Sequence, residues 1–205
     1  ATFSGSAASA AAYPTVAPTT PANLAGALTT LSTADLRIAS SLSLEAWIRP
    51  QAGAPNRWQT IIARGNAGSS SRNYGMYLNG TQLSFAMHSS GGSQFVMTQP
   101  NVIVGGAWSH VVAVFDQTTG GARLFVNGVL QNSVFVTQSG SPLVTAVGEL
   151  MIGNNYTSDA SFFNGSMSEV AVYNKALSSS QVASHYAASG ITTRGLTAPS
   201  VAVNG

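Results

Sequence analysis

The chain has only six carboxylates: Asp35, Glu45, Asp116, Glu149, Asp159 and Glu169. Glycoside hydrolysis needs two of them flanking the scissile bond, about 5–9 Å apart. No acid here has another within four positions along the chain. Glu45 and Glu169 remain as a pair that folding across strands would have to bring together. The three histidines, His88, His110 and His185, are far apart in sequence, and there is no Gly-x-Ser-x-Gly elbow to mark a nucleophile. A lone histidine on a strand or helix serves packing and hydrogen bonding more often than base catalysis. The residue types point away from an enzyme.

A different chemistry is carried by aromatics that sit beside amides and cations in turn-like segments. An aromatic face stacks on the apolar side of a pyranose, and Asn, Gln and Arg hydrogen-bond its hydroxyls. Arg57 and Trp58 follow Ala54-Pro-Asn. Arg72, Asn73 and Tyr74 follow a serine run. Asn155, Tyr156 and Asp159 share an oxygen-rich segment. These eight residues are the expected ligand contacts, placed on sandwich-edge loops. Trp58 has a second reading, as a cap on the edge of the core.

Positioning such loops requires a rigid scaffold, and its signals are strand signals. Leu42, Leu44, Ala46 and Ile48 alternate with Ser43, Glu45, Trp47 and Arg49, and Pro50 follows. A period of two marks a strand with two distinct faces. Asn79-Gly80 and Asn127-Gly128 each stand between alternating runs. Asn-Gly there predicts a two-residue hairpin of type I′, in which both residues take positive φ. Two hairpins among many short strands predict an all-β, antiparallel sandwich. Ser178 with Gln181 reads as a capping box, opening one short C-terminal helix that would end at Gly190.

Composition bounds the rest. The chain has 205 residues, 44% hydrophobic and only 7% charged, with a net charge of +2 and no cysteine. Disulfides and thiolate metal sites are excluded. One lysine and seven scattered arginines form no basic patch, so nucleic acid is not an expected partner. No apolar run approaches the roughly 18 residues that cross a bilayer, so no membrane insertion is expected. The start, residues 7–12, lacks the basic and hydrophobic regions of a signal peptide. Polar surface built from Ser, Thr, Asn and Gln suits an extracellular or particle-surface protein.

Five blocks carry a family resemblance. They are Ser-Leu-Glu-Ala-Trp-Ile-Arg at 43–49, Ala-Trp-Ser-His-Val-Val-Ala-Val-Phe-Asp at 107–116, Arg-Leu-Phe-Val-Asn-Gly at 123–128, Leu-Met-Ile-Gly-Asn at 150–154, and the run 164–178 from Asn164 to Ser178. In this order and spacing they resemble laminin-G-like, or concanavalin A-like, domains. The resemblance implies a jelly-roll sandwich that binds sugars or protein surfaces. It also makes Trp47, Trp108 and His110 structural. It implies one Ca²⁺ in many members, but Ser168 and Asn127 stand where acids are usual, and a lone Asp159 is thin charge for that ion. No cofactor is expected, with Ca²⁺ the only candidate.

The expected organisation is an extended arm at 1–22, the jelly roll at 23–190, and a strand or tail at 191–205. The expected function is non-catalytic recognition of a glycan or surface polysaccharide. The alternative is a structural virion protein, such as a capsid decoration, spike or tail component, contacting particle proteins through the arm.

Overall fold

The structure is a computed structural model. It describes residues 7–10, 28–30, 36–53, 57–65, 72–89, 92–135, 150–153 and 162–188. Twelve strands are present among these: β1 Ala7–Ala10, β2 Leu28–Thr30, β3 Leu42–Pro50, β4 Trp58–Gly65, β5 Arg72–Asn79, β6 Gln82–Ser89, β7 Gly92–Met97, β8 Ser109–Asp116, β9 Gly121–Val126, β10 Val129–Phe135, β11 Leu150–Ile152 and β12 Gly165–Tyr173. One helix, α1, spans Ser179–Ala188. The strands form two six-stranded sheets. Sheet A runs β1-β12-β3-β8-β9-β10, and sheet B runs β2-β11-β4-β5-β6-β7. All pairings are antiparallel. The expected all-β sandwich with one short helix is what the chain forms.

The alternation read in the sequence sets the layers. Leu42, Leu44, Ala46 and Ile48 of β3 enter the main core with Val111, Ala113 and Phe115 of β8. Sheet B answers with Tyr74, Met76 and Leu78 of β5 and Leu83, Phe85 and Met87 of β6. Each such side chain, fully buried, contributes about 1.5–3 kcal/mol by leaving water. A second, smaller cluster lies outside sheet A, where Val112, Val114 and Phe125 meet Leu177 and Val182 under α1.

In β12 the inward residues are Met167, Val170 and Val172, a spacing that breaks period two. Glu169, at φ 50°, takes up the extra residue in a bulge between Ser168 and Ala171. The helix begins as its sequence predicts. Ser178 Oγ accepts from Gln181 N at 3.2 Å, and Gln181 Oε1 accepts from Ser178 N at 2.9 Å. Gly190 lies outside the described residues.

The two Asn-Gly pairs behave differently. Asn127 and Gly128 have φ of 52° and 75°, and Val126 pairs with Val129, so they form the expected type I′ turn. At the other hairpin Asn79 pairs with Gln82, so the central residues are Gly80 and Thr81. Only Gly80 has positive φ (58°), which is the type II′ sign pattern. Asn79 is therefore a strand residue, not a turn residue.

Part of the expected arm is sheet. Ala7–Ala10 pair with Tyr173 to Val170 on the edge of sheet A. Residues 191–205 lie outside the described residues.

Candidate functional site

Two side-chain clusters carry chemistry, one on the outside of each sheet. On sheet A, Glu45 points away from the main core and is only 6% exposed. His110, reached through the β3–β8 pairing, donates from Nε2 to Glu45 Oε1 at 2.6 Å. His185 on α1 brings Nδ1 to within 3.1 and 3.0 Å of the two carboxylate oxygens. Burial pushes the Glu45 carboxyl up, but the His110 bond and charge, with bonds from Tyr173 and His185, outweigh it and hold Glu45 below the usual carboxylate range. The Tyr173 phenol is pushed up by burial and by the Glu45 charge beside it. Trp47 closes the cluster, 5.1 Å from His110 and 5.8 Å from Tyr186 between ring centroids.

This geometry fastens a helix to a sheet. Both oxygens of Glu45 are engaged by histidines, α1 roofs it, and Glu169 is exposed on the neighbouring strand. The loop into α1 is anchored nearby, where Ser43 Oγ donates to Lys175 O at 2.8 Å and accepts from Leu177 N at 2.9 Å. The structural reading of His110 and Trp47 holds. Trp108 is half-buried rather than core, with the Arg49 guanidinium 5.4 Å above its ring.

On sheet B the strand register decides which predicted contacts meet. Tyr74 faces inward and is fully buried, and its hydroxyl donates to Leu36 O at 3.1 Å. Burial pushes its phenol up. Asn73 is equally buried, donating to Ile38 O at 3.1 Å and accepting from Arg64 Nη1 at 3.4 Å. Neither presents a polar atom to an incoming ligand, because both are tied to the segment entering β3. That corrects their expected place among surface contacts.

Trp58 and Arg72 both lie against Tyr77 on the outer side, and Arg57 precedes Trp58 in the chain. Trp58 is 41% exposed. It meets the Tyr77 ring edge-on, with centroids 6.3 Å apart at 85°. Arg72 lies over the same ring, its Cζ 5.2 Å from the centroid. Trp58 and Arg72 stand at opposite ends of the β4–β5 pair, since Trp58 pairs with Asn79 and Gly65 with Arg72. Tyr77 joins them because its ring lies back along the sheet over Gly75. Burial pushes the Tyr77 phenol up, and the Arg72 charge tempers the shift.

Tyr77 escaped sequence reading, although a signal was present. If Tyr74, Met76 and Leu78 face the core, Tyr77 must face out. Asn155, Tyr156 and Asp159 lie outside the described residues.

A cleft of about 410 Å³ adjoins this face at the end of the sandwich. Pro50, Gln51, Gly80, Thr81, Asn101 and Ile103 line it. Gly80 donates to Arg57 O at 3.5 Å, which ties the cleft wall to the start of β4.

Asn127 and Ser168 are the two departures from the Ca²⁺ pattern that lie among the described residues. Asn127 Oδ1 accepts from the His110 amide at 2.9 Å, and Ser168 offers only a hydroxyl. Among the described residues no three His, Cys, Asp or Glu side chains cluster as metal ligands.

No curated protein matches the chain in sequence. Solved structures do match in fold. The Ruminococcus gnavus IT-sialidase CBM40 bound to α2,6-sialyllactose superposes with a TM-score of 0.61 at 16% identity, covering 77% of this chain and 95% of that one. The botulinum neurotoxin serotype G binding domain gives 0.61 at 14%, covering 80% of this chain and 40% of that one. A heptameric SAP-like pentraxin from Limulus polyphemus gives 0.54 at 18%, covering 71% and 69%. A laminin-G-type family model matches residues 24–183, and the chain belongs to the concanavalin A-like lectin/glucanase superfamily.

Proposed function

We propose that this chain is a non-catalytic recognition module that binds carbohydrate on the outer side of sheet B, at the edge marked by Trp58. The observation that carries this reading is the exposure of Trp58, braced edge-on by Tyr77, with Arg57 beside it in the chain and Arg72 over Tyr77. A large aromatic held half in water by rigid neighbours loses little entropy on stacking against a sugar. Arg57 and Arg72 supply donors for hydroxyls, and Asn155, Tyr156 and Asp159 belong to the same proposed contact set. The CBM40 likeness supports the reading, and its title names sialyllactose as what that module binds.

A hydrolytic reading has no matching geometry among the described residues, because Glu45 is closed under α1. A place outside the cell goes with glycan recognition, and no helix among the described residues is long and apolar enough to cross a membrane. The particle-coat alternative gains no observation, since Ala7–Ala10 pair with β12 of their own chain.

A glycan array on the purified protein tests the proposal, followed by titration of any hit against Trp58→Ala. Binding that falls in this variant while its melting temperature holds supports the site. An array without hits, or hits indifferent to Trp58, overturns it.

A further inference from the structure

Three hydroxyls on the outer side of sheet B stand in one row across the strands. Thr60 of β4 pairs with Tyr77 of β5, and Tyr77 with Ser84 of β6. Thr60 and Ser84 are fully buried and Tyr77 is 5% exposed. Thr60 Oγ1 and Ser84 Oγ are buried and make no hydrogen bond, and the buried Tyr77 hydroxyl between them has the Arg72 side chain as its hydrogen-bonding neighbour. Buried polar atoms in folded proteins are almost always paired. Two unpaired hydroxyls flanking a phenol held by Arg72 form a polar strip that is built but closed.

Part of what closes it is Arg72, whose guanidinium lies over the Tyr77 ring. A cation over an aromatic ring is held modestly near a surface, and a carboxylate or sulfate competes well for it through bidentate hydrogen bonds. The charge pattern favours such a competitor. The described carboxylates all lie on sheet A strands, Glu45 on β3, Asp116 on β8 and Glu169 on β12. The described strands of sheet B carry Arg64, Arg72 and His88 and no carboxylate, and Arg57 precedes β4. Asp35, Glu149 and Asp159 fall outside the described residues. Arg57 Nε is buried and makes no hydrogen bond, so that guanidinium has a donor still to be satisfied.

Resting on the carbohydrate reading above, we infer that the ligand is an acidic saccharide, whose anionic group draws Arg72 off Tyr77 and opens the ring and its hydroxyl row to the sugar. Trp58 then stacks on the pyranose. Thr60 and Ser84 gain partners they lack in the closed face, and Tyr77 exchanges Arg72 for the sugar.

Paired ligands test this: sialyllactose against lactose, and oligogalacturonate against its methyl ester, titrated at low and at physiological salt. The acidic member of at least one pair should bind about tenfold tighter or more, equivalent to about 1.4 kcal/mol. Its advantage should shrink with salt as screening grows. Arg72→Gln should erase the advantage and leave the neutral partner's affinity near its starting value. Arg57→Gln is the second variant, should Arg72→Gln fail to fold, and it should reduce the advantage in the same direction. Equal binding of acidic and neutral members overturns this inference and leaves the carbohydrate reading standing. An acidic preference that survives both variants overturns the role given to the arginines. Binding of neither member, with an array empty of neutral and acidic glycans alike, overturns both.

Discussion

The Tyr77 ring occupies the space in which a side chain on Gly75 would stand. Gly75 pairs with Ala63 on one side and Ala86 on the other, so the floor beneath the ring is made of the smallest residues available. A bulky floor would lift Tyr77 and separate Trp58 from Arg72. The outer surface of sheet B thus depends on a residue with no side chain.

Gly75→Ala is expected to displace the Tyr77 ring. The Cβ would overlap the ring atoms, and relieving that overlap in a packed site costs about 1–3 kcal/mol. The melting temperature should fall, and tryptophan emission should change as Trp58 loses its edge contact. An unchanged emission spectrum would contradict the arrangement.

Trp58→Ala is expected to weaken glycan binding by about 1–3 kcal/mol, the range of a recognition hot spot. Its effect on stability should stay near about 1 kcal/mol, because much of the ring is already in water. A loss of about 3–5 kcal/mol, typical of a buried aromatic, would instead make Trp58 a core cap. Affinity and thermal melting, measured on the same sample, separate the two.

Glu45 makes the protein acid-sensitive. Its folded carboxyl titrates below the ordinary value of 4.5, so its stabilisation is complete above that value and drains as pH falls through the folded value. Glu45→Ala should cost about 3–5 kcal/mol at neutral pH, since it leaves His110 buried without its acceptor. His185 is partly exposed, so His185→Ala should cost no more than about 1 kcal/mol. Urea titrations across the acid range check both, and the Glu45 variant should lose the acid limb of the profile.

The two Asn-Gly hairpins should answer mutation unequally. Asn127 sits at positive φ and its side chain accepts from the His110 amide, so Asn127→Ala should cost about 1–3 kcal/mol. Asn79 lies in extended strand one residue before its turn, and Asn79→Ala should stay within about 0.5 kcal/mol. Equal losses in chemical denaturation would refute the assigned turn types.

These contrasts show what the sequence reveals and what it conceals. The sandwich was legible because Leu42 to Arg49 alternate cleanly and the Asn-Gly pairs sit between alternating runs. The capping box at Ser178 was legible because its two hydrogen bonds are local. Trp58 was legible as an aromatic in a turn-like segment. Tyr74 adjoins Arg72 and Asn73 in sequence, but adjacency on a strand sends neighbours to opposite faces, and Tyr77 is the tyrosine on the outer face. The Glu45 cluster was not legible. Its histidines lie 65 and 140 positions away, and only the β3–β8 pairing and the return of α1 bring them together. The shift of the first turn by one residue escaped for a related reason, since cross-strand pairing and not the dipeptide sets which residues are central.

The small cluster beneath α1 has a consequence for how the molecule breathes. Strand β8 has Val111, Ala113 and Phe115 in the main core and Val112 and Val114 in the second cluster, so apolar layers cover it on both sides. That explains its unbroken run Val-Val-Ala-Val-Phe, where the polar half of an alternation is missing. Amide hydrogens of β8 can then reach solvent only when the helix lifts and the sandwich parts together. Exchange there reports global unfolding, while the edge strands β1 and β10 open on their own. The helix, small as it is, makes the centre of sheet A the slowest clock in the protein.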